Sequence, residues 1–122
     1  PDDLPVWREC HRVLRPGGEL LSGFLNPAFF LFDWEEIERG DEPVMRFSLP
    51  YSDKESLPPE RYRKLIEDLE PFAFSHSLDE QIGGQLEAGF QLVGFFEDGW
   101  SEWQVLNKWF RTTMNTRARK PE

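Results

Sequence analysis

The sequence predicts an α/β fold, and three observations carry that reading. Leu4, Trp7, His11 and Leu14 recur at helical spacing and run into Arg15-Pro16-Gly17-Gly18, which stops a helix. Residues 19–25 follow at once. Leu20 and Phe24 fall on one face of an extended chain and Leu21 and Leu25 on the other, so this strand is expected inside a covered, parallel sheet. Towards the other end, residues 91–97 and 109–118 read as two further strands able to pair antiparallel.

The remaining elements follow from local signals. Asp3 is placed to cap the first helix, Pro5 suits its first turn, and Arg15 suits the negative end of its dipole. Asn26-Pro27 stops the first strand, and residues 28–32 form a dense apolar run. Asp33-Trp34-Glu35-Glu36 reads as a capped helix start, closed at Gly40. Residues 44–49 alternate as a strand with one wet face. Pro58-Pro59-Glu60 opens a helix with Tyr62, Leu65, Ile66 and Leu69 as its apolar stripe, and residues 72–74 suggest a short strand. Ser77-Leu78-Asp79-Glu80 is a capping box for a helix carrying Leu78, Ile82 and Leu86 and closing at Gly89. Gly83-Gly84 inside that helix costs roughly 1 kcal/mol per glycine relative to alanine, tolerable where the backbone must approach a neighbour closely. The chain reads as a single domain, residues 1–122, with residues 28–72 as an insertion or lid.

Composition narrows the function. The 122 residues carry 14 basic and 23 acidic side chains, a formal net charge of −9. That balance argues against a nucleic-acid surface, which usually shows a basic face. Five of the basic residues and one of the acidic ones lie in residues 104–122, so only the tail is basic. Cys10 is the lone cysteine, which excludes an internal disulfide and a cysteine-rich zinc site and fits a reducing, cytoplasmic setting. No apolar run approaches the roughly 20 residues of a membrane helix, so no membrane partner is expected.

Candidate site residues cluster after the first strand. In open α/β sheets ligands bind off the carboxyl ends of strands. Asn26, Phe29, Phe30 and Trp34 are therefore candidates to line a substrate pocket, against the plainer reading of a turn residue and ordinary core. Tyr51 and Trp100 are further loop aromatics; Trp103 and Trp109 read as packing residues. His76, between two serines, is either a hydrogen-bonding or base residue in the pocket or a histidine bridging a turn. Cys10 and His11 are adjacent on a helix and diverge by about 100°, which argues against a dyad. Glu35, Glu36, Glu38, Asp41 and Glu42 lack the ligand spacing of a calcium loop. No nucleophile elbow, zinc spacing or phosphate-binding loop is present.

Three stretches carry a family resemblance. Val6-Trp7-Arg8-Glu9-Cys10-His11-Arg12-Val13-Leu14-Arg15-Pro16-Gly17-Gly18-Glu19-Leu20-Leu21 resembles the segment of class I S-adenosylmethionine-dependent methyltransferases that joins the helix after strand four to strand five. Phe74 to Phe90, with Ser77-Leu78-Asp79-Glu80-Gln81-Ile82-Gly83-Gly84-Gln85, resembles the helix before strand six in a bacterial small-molecule subgroup. Leu49-Pro50-Tyr51-Ser52-Asp53 is similar to that subgroup's insertion. The resemblance implies the C-terminal part of a methyltransferase: a partial Rossmann-like sheet of strands five, seven and six. The family's glycine-rich turn after strand one, its ribose-binding acid after strand two and its strand four have no counterpart here.

The implied activity is therefore that of a longer parent, moving a methyl group from S-adenosylmethionine to a small-molecule acceptor. No cofactor binding, metal or activity is expected of this chain alone. The uncovered edge of residues 19–25 would favour self-association, most simply as a dimer. The alternative is a non-enzymatic ligand- or protein-binding module using Trp34, Trp100 and Trp103.

Overall fold

A computed structural model describes residues 2–99 and 105–122. Helix α1 (Leu4–Val13) leads into strand β1 (Glu19–Leu25). An inserted region follows, with a 3-10 turn (Pro27–Leu31) and short helices α2 (Trp34–Glu38), α3 (Asp53–Ser56) and α4 (Pro59–Glu67). A π-helical turn (Asp79–Gly83) runs into α5 (Gly84–Glu87), strand β2 (Gln91–Asp98), a 3-10 turn (Val105–Lys108) and strand β3 (Thr113–Arg119). No helix among the described residues is long and apolar enough to cross a membrane.

The sheet has the order β1-β3-β2, with the last strand between the other two and antiparallel to both. Its register puts Leu20 beside Ala118, Ser22 beside Thr116 and Phe24 beside Met114. On this covered face Met114, Thr116 and Ala118 are buried. A polar chain crosses it. Thr116 Oγ1 donates to Gln85 Oε1 (3.1 Å), and Gln85 Nε2 donates to the Gln81 carbonyl (2.9 Å). The Thr116 proton being spent, the 2.7 Å contact between Ser22 and Thr116 places the donor on Ser22.

Helices α1 and α5 pack together through a glycine. A Cβ on Gly84 would lie 2.7 Å from Trp7 Cδ1, whereas one on Gly83 would meet nothing within 4 Å. The Trp7 indole donates to the Glu80 carbonyl (3.2 Å). Gly89, at a φ of +106°, turns the chain beside the His11 ring, which packs edge-on against Phe90. Lys120 closes α1 from the far end of the chain, its Nζ donating to the carbonyls of His11 and Leu14, both at 2.8 Å.

Four expectations need correction. Strand β1, at the sheet edge in agreement with the uncovered edge expected of residues 19–25, pairs antiparallel in place of parallel and is covered on one face only; Leu21 on the other face is 75% exposed. Residues 44–49 form no strand. The amides of Arg46 and Phe47 both reach the Leu31 carbonyl (2.7 and 3.0 Å), so the single bridge from Phe32 to Met45 does not propagate. Residues 72–74 likewise give one bridge, Ser52 to Phe74. There the Ala73 amide donates to the Asp53 side chain (2.7 Å), which takes the place of a ladder bond. Asp3 heads α1 without a side-chain cap; the free amide of Leu4 is taken by Asp2 (2.9 Å).

The glycine pair gives a direct test. Gly84→Ala forces a Cβ into the Trp7 ring and is expected to cost about 1–3 kcal/mol through overpacking. Gly83→Ala has room and should be neutral or stabilising by up to about 1 kcal/mol. Urea denaturation of the two variants beside the parent chain separates these outcomes.

Candidate functional site

The inserted region hangs on the end of β1. The Asn26 side chain accepts from the Ala28 amide (3.0 Å) and donates to the Arg111 carbonyl (3.4 Å), which fixes the exit of the chain into the 3-10 turn. That turn sends Phe29 into a small core with Ile37 and Leu106 and leaves Phe30 to stack on Tyr51 at 5.4 Å between ring centres. Trp34 packs against Phe29 (5.4 Å) and Phe47 meets Tyr51 edge-on (5.1 Å). Among the described residues these aromatics wall a cavity of about 590 Å3 off the carboxyl end of β1. Its size suits a small organic molecule, and apolar walls with a few fixed polar groups are the usual make-up of such a site.

Two polar couples set its shape. The Arg61 guanidinium donates to both oxygens of Asp33 (2.7 and 3.0 Å), and Asp33 also caps α2 at the Glu35 amide (3.0 Å). The guanidinium holds the Asp33 carboxyl below its ordinary range. The Tyr51 hydroxyl donates to Asp53 Oδ1 (2.6 Å), while Oδ2 accepts from the Ala73 amide. Burial first, then that bond to Asp53, raises the Tyr51 phenol well above its ordinary value. Asp53 is 6% exposed, and no cationic side chain pairs with it among the described residues.

Of the six candidate residues, Phe29, Phe30, Trp34 and Tyr51 come together around this cavity. Asn26 fixes the start of the 3-10 turn through its side-chain bonds to Ala28 and Arg111 and is not among the cavity walls. His76 is elsewhere, where α1 meets the π-helical turn, its Nδ1 2.9 Å from Glu80 Oε2 and 3.9 Å from Asp3 Oδ2. These three side chains bring one imidazole and two carboxylates within 4.8 Å of one another, one ligand short of a closed four-coordinate zinc site. Burial raises the Asp3 carboxyl, an effect the His76 charge offsets in part. Trp100 and Trp103 lie outside the described residues. Asp33, Arg61 and Asp53 were not expected at a site; Asp33 read only as a helix cap, and Arg61 is 28 residues away.

The Gly17-Gly18 turn does not fit the cofactor that the resemblance implies. The Gly17 amide donates to the Lys120 carbonyl (2.8 Å), and a Cβ on Gly17 would meet the Glu122 side chain. Gly17-Gly18 thus turns a helix into a strand and packs on the chain's own tail. A cofactor-cradling loop runs the other way, from a strand into a helix.

Both couples leave a signature in pH. The Asp33 contribution is present above the ordinary carboxylate value near 4 and is lost as pH falls through the lower folded value; Tyr51 contributes below about pH 10 and loses this as pH rises through its higher folded value. Arg61→Met should therefore flatten the acid limb of stability against pH, and Tyr51→Phe the alkaline limb. Chemical denaturation midpoints from pH 3 to pH 11 read both.

Comparison with known proteins gives the same direction. No protein-family model matches the chain. An uncharacterized methyltransferase of Bacillus subtilis (strain 168), YbaJ, is 47% identical over 117 residues, which is 96% of this chain and 45% of that protein. The chain thus spans about half the length of this relative. The crystal structure of a proposed S-adenosylmethionine dependent methyltransferase from Listeria monocytogenes superposes with a TM-score of 0.56 at 16% identity, over 98% of this chain and 55% of that one. The chain is a homologue of part of a methyltransferase and has the corresponding part of a methyltransferase fold, in keeping with its resemblance to the class I S-adenosylmethionine-dependent enzymes.

Proposed function

We propose that the chain is the acceptor side of a small-molecule methyltransferase whose cofactor is S-adenosylmethionine. The observation that carries this reading is the aromatic-walled cavity off the carboxyl end of β1, in a chain 47% identical to part of a methyltransferase. In that reading β1, β3 and β2 are strands five, seven and six of a longer sheet, and residues 28–72 form a lid over the acceptor. The cavity positions the acceptor, and positioning is a large share of what a methyl transfer asks of a protein. The rest of the parent supplies the glycine-rich turn and the ribose-binding acid.

The division of labour is testable on the chain itself. Titration calorimetry with S-adenosylmethionine should give no measurable heat of binding to this chain alone. Micromolar binding would place a cofactor site within these residues and overturn the division. No methyl transfer is expected from the chain alone.

The same reading assigns the bare edge of β1 to the rest of the parent. Among the described residues β1 has a partner on one side only, and Leu21 and Phe96 stand on the uncovered face, the latter 61% exposed. No lysine or proline within residues 19–25 blocks further pairing. In isolation two copies should associate there, most simply as a two-fold dimer, with the net charge of −9 opposing further growth. Light scattering at micromolar concentration should show twice the monomer mass, and Leu21→Lys should restore the monomer.

A further inference from the structure

We propose that the cavity off β1 selects an acceptor that is a cation in solution, a small organic amine, over neutral or anionic molecules of the same size; this rests on reading that cavity as the acceptor site. The charge of its lining is one-sided. Among the described lining residues Asp33, Glu35, Glu38, Asp53 and Glu70 are acidic, and Arg61 is the single base. Arg61 is already engaged. It is forked onto both oxygens of Asp33 and lies 3.5 Å from Glu35, so its charge is offset before any ligand arrives.

Asp53 is the opposite case. Its two oxygens accept from a phenol and a backbone amide, both neutral donors, so the fold orients the carboxylate without neutralising it. A buried anion with no cationic partner is costly, and a cation beside it recovers part of that cost. The walls favour the same guest. Phe30, Phe47 and Tyr51 all line the cavity, Phe30 stacked on Tyr51 and Phe47 edge-on to it, so aromatic rings with electron-rich faces make up much of its wall. Such faces attract ammonium groups and offer nothing comparable to a carboxylate. The neighbouring crevice does not reverse the balance: its Lys64 stands among Glu35, Asp68 and Glu70.

Three probes of one size isolate charge: benzylamine, benzyl alcohol and phenylacetate, titrated into the chain at pH 7 and low salt, with the ring resonances of the cavity aromatics followed by NMR. Benzylamine should bind about tenfold tighter than phenylacetate and about threefold tighter than benzyl alcohol. Asp53→Asn should abolish the preference of the amine over the alcohol while leaving the alcohol's affinity within about twofold. Should that variant fail to fold, the exposed pair Glu38→Gln and Glu70→Gln keeps the question open to test, with benzylamine weakened about twofold and its salt dependence reduced. Phenylacetate or benzyl alcohol binding as tightly as benzylamine would overturn the selection for a cation and leave the acceptor site standing. No shift with any of the three in the folded chain would overturn the acceptor site itself.

Discussion

Strand β3 is the member on which the sheet depends. Each ladder in it has β3 on one side, since β1 and β2 never touch as neighbours. The register is held by side chains as well as by backbone. Ser22, Thr116 and Gln85 form a line of hydrogen bonds through a buried face, each donor and acceptor matched by its neighbour. A slip of one residue would turn Thr116 and Ala118 outward and carry Arg117 into the covered face. The strand that arrives last in the chain thus fixes where the first one lies.

The helical layer is tied to the same strand. Lys120, one residue beyond β3, holds the last carbonyls of α1, so the first helix and the last strand stabilise each other. Trp7 then sits on the bare backbone of Gly84 and brings α5 to the same face. All of this lies on one side. The outer face exposes Leu21 and Phe96 beside the polar side chains of Glu19, Asn115, Arg117 and Arg119.

That contrast explains what the sequence made legible. The helix stop at Arg15-Pro16-Gly17-Gly18, the paired glycines and the three strands are local signals, and the fold keeps them, the last strand as Thr113–Arg119 in place of residues 109–118. The two-faced apolarity of residues 19–25 is kept on one face only, since among the described residues nothing covers Leu21 on the other. Residues 44–49 and 72–74 alternate like strands and are not, because a shared carbonyl at Leu31 and a competing carboxylate at Asp53 take the amides a ladder would use. At the cavity, Phe29, Phe30 and Trp34 were legible from their position after the first strand, and Tyr51 as a loop aromatic. Asp53 and the Asp33–Arg61 pair were not, since neither periodicity nor spacing marks a bond between residues 28 apart. His76 followed its alternative reading, bound to Glu80 on the next turn.

The inserted region has little regular structure to stabilise it. Its buried apolar residues are few: Phe29 and Ile37 join Leu106 from outside the insertion, and Tyr51 is buried beside Asp53. Specific polar contacts therefore carry much of its shape: Arg61 on Asp33, Arg46 on Glu36, and Tyr51 and Ala73 on Asp53. Two of these three groups line the cavity. The bonds that shape this region thus also set the charge and outline of the cavity it lines. On the proposed reading, a guest that meets Asp53 adds to the network that orders residues 51–73 and by mass action stabilises that segment. On that reading stability and selectivity in this region rest on the same side chains.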